Sequence, residues 1–561
     1  MSLKFACAAF RVSFRLIQKR RKMDKKHDGL GRKIYLELSP PTEEDARGDR
    51  ERLLDGLREQ GYEAVVPLKT LRTLYPFCRE AEWKFTAVLG WQGEKWEVLR
   101  LEKGDTSQCQ YGVAVDLGST TIMMKVIDLD TGKEAASQSI FNPQIPYGEE
   151  ILSRIFYTKD QPEHLRELQE LTAGGLNRLL ELCEEECGVP RDEYLCMTVA
   201  GNTTMTHLLL GLFPWPVFET PFAPAAKEGG FIKGKELGIE MPGYVYIFPS
   251  AANYLGGDII SGLLEAGFYK GEELSVFIDI GTNGELVAGN AEFLLAGAGA
   301  AGPALEGGIS RYGMRAEKGA VDCVSISRGT LKIHTIGGGK PRGICGSGIV
   351  KLLAEMFLEG WVDPAGNFNI DKFDRIIKVP NHLAPEKEEP AVCYAWADES
   401  DQGEDLVFTQ TDVQEFIRTK AAAHTMVEYL LEEFGLEAGQ IGRFYLAGGF
   451  GTHLELEAAV TIGIYPDLPR EKFCVLGNAS LKGAAELLLN REMLKDIEKI
   501  MENITYLQFG NAGDFLEKMH KAQFLPYTDL NQYPSVKEKL NGRRRGKPAA
   551  EGAVPELPNR P

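Results

Sequence analysis

From Tyr111 to about Leu525 the chain alternates between two hydrophobic periods. Short apolar runs at 122–127, 197–200 and 245–249, with Val113–Ala114 entering the first turn, are separated by longer stretches of helical spacing at 165–187, 259–266 and 350–358. Gln410-Thr-Asp-Val-Gln414 caps a long helix reaching about Phe434. Val413, Phe416, Ile417, Ala421, Val427 and Leu431 form its apolar stripe, and Gly435 stops it. Arg418 and Lys420 on its other face read as solvated charge, with reach to a ligand as the alternative. The alternation predicts an α/β body.

Upstream the pattern differs. Residues 33–41 read as a strand stopped by Pro40 and Pro41, after which Thr42 caps a charged helix to about Leu57, with Asp45 in the capping-box position. Two β-rich runs, 83–89 and 95–101, flank Gly90-Trp-Gln-Gly93 as a hairpin. The first residues are basic, and Met23 reads as the initiator in preference to a signal peptide or surface helix.

Two distant segments repeat one pattern. Val113-Ala-Val-Asp-Leu-Gly-Ser-Thr-Thr121 and Phe277-Ile-Asp-Ile-Gly-Thr-Asn-Gly-Glu285 each run from an apolar strand into Asp-x-Gly, hydroxyl or amide residues and a second strand. A lone Asp-x-Gly is usually a turn. Two copies with matching flanks predict two similar lobes closing on one phosphate chain, with Gly118, Ser119, Thr120 and Thr121 on one side and Gly281, Thr282, Asn283 and Gly284 on the other. Asp116 and Asp279 are the expected magnesium-organising and catalytic carboxylates, held ionised beside the metal. Asp258, after Gly256-Gly257, is the candidate base.

Phe444-Tyr-Leu-Ala-Gly-Gly-Phe-Gly451 is a strand ending in a glycine pair, where a nucleoside can lie on bare backbone. Gly448, Gly449 and Phe450 are the expected contacts, with 478–480 and 483–485 supporting the same pocket. Ile344-Cys-Gly-Ser-Gly-Ile349 opens a helix that reads as a connector between subdomains, since Cys345 breaks the five-residue nucleophile turn. The small-residue run 296–309 suits close backbone contact with a ligand or another domain.

At 561 residues the chain is too long for one core. The expected segments are a disordered basic leader at 1–32, a linker strand and helix at 33–60, and a small α+β domain at 61–107. Lobe one follows at 108–271, lobe two at 272–530, and a disordered tail at 531–561. A net charge of −18 argues against nucleic acid as the main partner. No run is long enough to cross a membrane, so a cytoplasmic location without membrane partners is expected. The ten cysteines include no Cys-x-x-Cys pair, and Cys183 and Cys187, one helical turn apart, read as reduced thiols, with a metal pair as the alternative.

In order, the two phosphate hairpins, the Gly-Ser-Gly helix and the Ala-Gly-Gly turn resemble the actin, sugar kinase and Hsp70-like ATPases. Further words narrow the resemblance: Asn142-Pro-Gln144 with Ser153-Arg-Ile155, Val199-Ala-Gly-Asn-Thr-Thr-Met-Thr-His207, Ala301-Gly-Pro-Ala-Leu-Glu306, Gly313-Met-Arg-Ala316 and Gln410-Thr-Asp-Val413. These, with Pro41-Thr-Glu-Glu-Asp45, are similar to the reductive activators of corrinoid proteins (RACo-like) over about residues 33 to 525. The resemblance implies two RNase H-like lobes with a small N-terminal α+β domain, and ATP and Mg2+ as cofactors. The implied activity is ATP-driven reduction of cob(II)amide to cob(I)amide on a partner corrinoid protein. Family members usually carry a ferredoxin domain with four clustered cysteines. This sequence has none, which implies no iron–sulfur cluster in the chain and a separate electron donor such as a ferredoxin. The run 296–309 is the candidate corrinoid-protein contact, and a homodimer is left open. A small-molecule kinase using Asp258, or a nucleotide-gated chaperone or assembly protein, stand as alternatives on the same fold.

Overall fold

The computed structural model describes residues 28–544, apart from 160, 282–283, 300–307, 309, 371, 383, 449–454 and 509–513. Most of the expected basic leader lies outside the described residues, as does the tail beyond 544. An N-terminal sheet holds β1 (Gly31–Glu37), β2 (Ala64–Val65), β3 (Lys84–Trp91) and β4 (Trp96–Lys103) in the order β1-β3-β4-β2. β1 pairs with β3 from Gly31 opposite Gly90 to Glu37 opposite Lys84, so residues 33–60 and 61–107 build one sheet. Its helices, Asp49–Glu59 and Leu68–Glu80, bury Leu53, Leu57 and Leu74 against Phe85 and Val98.

The first of these helices begins at Asp49, with Gly48 as its N-cap, and not at Thr42. Thr42 Oγ1 does accept from the Asp45 N–H at 3.1 Å. The Asp45 carboxylate, however, is taken by Arg47 and Arg52, at 2.9 and 2.8 Å, so the turn closes on itself and the helix starts later.

The first large sheet contains β5 (Tyr111–Leu117), β6 (Thr121–Asp128), β7 (Glu134–Phe141), β8 (Tyr194–Gly201), β9 (Gly230–Lys233) and β10 (Tyr244–Ile247), in the order β7-β6-β5-β8-β10-β9. The second begins with β11 (Ser275–Ile280), β12 (Gly284–Gly289) and β13 (Leu294–Gly299). Two three-stranded sheets then intervene: β14 (Ala320–Ser327), β15 (Thr330–Thr335) and β16 (Gly343–Ile344), then β17 (Ile376–Pro380), β18 (Glu388–Ala395) and β19 (Leu406–Thr409). β20 (Arg443–Ala447), β21 (Phe473–Gly477) and β22 (Ile504–Leu507) complete it as β21-β20-β11-β12-β13-β22.

The two large sheets share one plan. β5 has the antiparallel β6 and β7 on one side and the parallel β8 and β10 on the other. β11 has β12 and β13, then β20 and β21, in the same senses. The hairpin repeat in the sequence is therefore a repeat of whole sheets, and the fold is a two-lobed α/β architecture.

Between the lobes lie two helices, Gly257–Ala266 and Ala479–Leu489, which bury Leu263, Leu264 and Leu487 with Phe277 of β11. They cross where Gly483 meets the Ser261 carbonyl, a contact that any Cβ would overlap. Ser261 Oγ donates to the Ser480 carbonyl at 2.6 Å, and Thr198 Oγ1 of β8 to that of Ala484 at 2.9 Å.

Three expectations change here. Residues 296–299 belong to β13, between β12 and β22, and their small size admits the helix Gln410–Glu432, since a Cβ on Gly299 would overlap Met426 Sδ. That part of the run is sheet interior and no partner surface; most of the remainder lies outside the described residues. Lys420 is fully buried, donating to the carbonyls of Ala522 (2.6 Å), Phe524 (2.8 Å) and Pro526 (2.5 Å). The tail expected to be disordered from 531 forms the helix Pro534–Arg544, with Tyr533 and Val536 buried in the lobe-two core and Asp467 accepting from Ser535. Among the described residues no helix is long and apolar enough to cross a membrane.

Candidate functional site

Asp116 and Asp279 are the next-to-last residues of β5 and β11, at equivalent points of the repeat. Asp116 stands opposite Met123 and beside Ala200, and Asp279 stands opposite Glu285 and beside Ala447. A cleft of about 570 Å3 opens above them, and Asp258 in the first turn of the helix Gly257–Ala266 joins its floor. Each carboxylate keeps a side open to the cleft and is otherwise enclosed by protein.

Enclosure disfavours the charged form of all three. Burial, with Asp116 as a like-charged neighbour, pushes the Asp258 carboxyl up to about 7. Asp279 is pushed up to about 7 by burial and then by Asp258 and Asp116. Burial also raises Asp116, opposed by hydrogen bonds from Asn478 Nδ2 (2.7 Å) and Ser480 Oγ (2.9 Å). Without a cation, burial therefore works against ionisation of all three; the ionised state expected from the sequence is the one beside a bound metal. Such an oxygen-only set fits Mg2+, which takes one or two carboxylates and completes its shell with water and phosphate oxygens.

The Gly118–Thr121 loop is held from behind by its carbonyls. Asn142 Nδ2 donates to the Gly118 carbonyl at 2.8 Å, Arg154 Nη2 to that of Ser119 at 2.6 Å, and the Asn142 N–H to that of Thr120 at 2.8 Å. A trans peptide points its N–H away from its C=O. Tying these carbonyls to the rear therefore turns the N–H edge of the loop toward the cleft that Gly118, Ser119, Thr120 and Thr121 line. Such an edge suits a phosphate chain.

On the opposite wall Gly281 lines the cleft, while Gly284 is buried as the first residue of β12. Gly448 adopts φ +80°, and a Cβ there would stand 2.5 Å from Asp279 Oδ1. Only glycine lets the β20 turn approach that carboxylate. Thr282, Asn283, Gly449 and Phe450 lie outside the described residues.

Several residues at the cleft escaped sequence reasoning. Asn478 and Ser480, expected to support the nucleoside pocket, line the cleft and also grip Asp116 across the molecule, a role no local signal gave, and Gly483 serves the helix crossing. Cys345, Gly346 and Ser347 line the cleft at the start of the helix Gly346–Leu358, which is therefore more than a connector. Asn142 and Arg154 stood inside motif words but carried no role. Arg315, the basic residue among the described ones lining the cleft, lies 5.1 Å from the Phe141 ring centroid and so bridges the two lobes. Helical spacing at the start of 478–489 was the available signal for Ser480, but nothing local identifies a partner so far away in sequence.

Comparison with known proteins accounts for nearly the whole described chain. Residues 21–108 match the RACo linker region, 111–271 the RACo middle region, and 273–537 the C-terminal domain of RACo, the ASKHA domain. The corrinoid activation enzyme RamQ of Eubacterium limosum is 31% identical over 411 residues, 72% of this chain and 69% of that protein. The [Co(II) methylated amine-specific corrinoid protein] reductase of Methanosarcina barkeri is 24% identical over 437 residues, 70% and 73% of the two chains. Among solved structures, a reductive activator for corrinoid, iron–sulfur protein superposes with a TM-score of 0.82 at 37% identity, covering 92% of this chain and 82% of that one.

Proposed function

This chain belongs to the RACo family, and from that premise we propose that it is an ATP-driven activator of a corrinoid protein. It returns cob(II)amide to cob(I)amide by one electron, supplied by a separate low-potential donor protein. The observation that carries the nucleotide half of this reading is the facing pair Asp116 and Asp279, at matching ends of a duplicated sheet over one cleft.

In the proposed mechanism the N–H edge of Gly118–Thr121 and the Gly281 turn receive the phosphate chain from opposite lobes. Asp116 and Asp279 would hold Mg2+, which when bound neutralises charge developing on the transferred phosphate. Asn478 and Ser480 keep the Asp116 carboxylate aimed and favour its ionised form against the effect of burial. Asp258, titrating near 7, can take the proton of a water attacking the terminal phosphate. Arg315 crosses the mouth and can leave Phe141 for a phosphate oxygen, which draws the lobes together. Closure against the two interlobe helices then changes the surface offered to the corrinoid protein, and ATP is used to favour the state that accepts the electron.

The test is the visible spectrum of a purified corrinoid partner held with this chain and a chemical reductant. Cob(I)amide should appear only with ATP and Mg2+, and the partner should stimulate ATP hydrolysis. Formation at the same rate without ATP, or phosphate transfer to a sugar or polyol with no response to the corrinoid protein, overturns the proposal.

A further inference from the structure

Arg154, on the helix Ile151–Lys159, is fully buried and carries a charge the fold does not balance. Its Nε donates to the Gly148 carbonyl at 2.9 Å, its Nη1 contacts Gln144 Oε1 and Met205 Sδ at 3.2 Å each, and its Nη2 donates to the Ser119 carbonyl at 2.6 Å. Every one of these acceptors is neutral. Among the described residues no carboxylate pairs with it, and burial pushes its pKa down to about 10. An uncompensated buried charge is costly.

The supports around it are built for position. Gln144 is itself buried and fixed by the Leu168 carbonyl (2.8 Å) and Thr172 Oγ1 (2.7 Å), so the guanidinium has one place to sit. That place is directly behind the first phosphate loop, on the far side from the cleft.

We propose that Arg154 is a positioning residue for the nucleotide's phosphate chain, its charge balanced only when phosphate arrives across the loop. Its bond to the Ser119 carbonyl fixes the Ser119–Thr120 peptide and polarises it, which makes the Thr120 N–H a stronger donor toward the cleft. The inference rests on the nucleotide reading above and deepens it: the loop recognises phosphate charge from behind as well as through its own N–H groups.

Isothermal titration of the full chain with adenosine, ADP and ATP tests this on wild type, Arg154→Met and Arg154→Lys. The methionine variant should bind ATP roughly ten- to hundredfold more weakly, ADP less weakened, and adenosine as wild type does. Its nucleotide-free melting temperature should fall modestly, since the Gly148 and Ser119 carbonyls lose their donors, and the ratio of the ATP loss to the adenosine loss, which a general loss of stability does not change, carries the test. Arg154→Lys keeps the charge and should retain most of the preference for ATP over adenosine. Equal losses for adenosine and ATP, or loss of that preference in the lysine variant, overturn the inference in favour of simple scaffolding. Wild type failing to bind ATP sinks the nucleotide reading itself, whereas wild type binding ATP with an unaltered methionine variant sinks only the role of Arg154.

Discussion

Replacing Ser480 with alanine removes one of the two hydrogen bonds that hold Asp116, at 2.9 Å, and leaves the bond from Asn478 in place. Burial pushes the Asp116 carboxyl up while those two bonds pull it down. Losing one therefore moves it further up, so that the proton stays on to higher pH. A hydrogen bond to a charged group contributes about 1.5–3 kcal/mol. At about 1.4 kcal/mol per tenfold, that is roughly ten- to hundredfold in the ionisation equilibrium. If Asp116 must be ionised to hold Mg-ATP, Ser480→Ala should bind it that much more weakly below the carboxyl's folded pKa, and the gap should close above it. The fold should stand, because alanine is the better helix former by about 0.5 kcal/mol and the Ser480 carbonyl keeps its bond from Ser261. Calorimetric titration of Mg-ATP in steps from below to above neutrality reads the gap directly. A gap of constant size would mean that Ser480 acts by geometry alone, and no gap at any pH would refute the coupling.

Asp279 titrates at about 7 in the fold against 3.8 in a free chain, so the stability it allows at low pH is lost progressively as pH rises from 3.8 to about 7. Without Mg2+ and nucleotide, Asp279→Asn should therefore melt above wild type in mildly alkaline buffer and close to it in acid; scanning calorimetry showing the same difference at both ends would contradict this. Gly448→Ala forces a Cβ to 2.5 Å from Asp279 Oδ1 at φ +80°, a backbone cost of about 1–2 kcal/mol, and thermal shift assays should show lower stability and no response to Mg-ATP. Lys420→Met strands three carbonyls in the lobe-two core, at about 1–3 kcal/mol each; denaturant melts should show a loss of at least about 3 kcal/mol, and a wild-type midpoint would rule the role out.

Much of the site was legible because it is local. Asp116 with Gly118–Thr121 is one continuous turn, and the same is true of Asp279 with Gly281. A strand entering Asp-x-Gly announces itself by period and residue type alone. Elsewhere local signals misled. Thr42 and Asp45 have the letters of a capping box, but Arg47 and Arg52 compete for the carboxylate. Lys420 has the spacing of an exposed helix face, and the segment 522–526 folds back over it. The tail has a disordered composition near its end, yet Tyr533 and Val536 supply enough apolar surface to dock.

By itself the sequence determined the duplicated strand–turn–strand, the glycines its turns require, the α/β alternation and the family words. All of these depend on contacts within a few residues. The tertiary structure alone decided which distant groups serve those turns: Asn478 and Ser480 on Asp116, Arg154 and Asn142 behind the loop, and Arg315 across the mouth. It also decided that three aspartates from three elements share one enclosed floor, where burial raises all three and like-charged neighbours push Asp258 and Asp279 further, to about 7. Periodicity reports which face of an element is buried. What it is buried against, and so the charge and proton state of a site, follows only once the lobes pack.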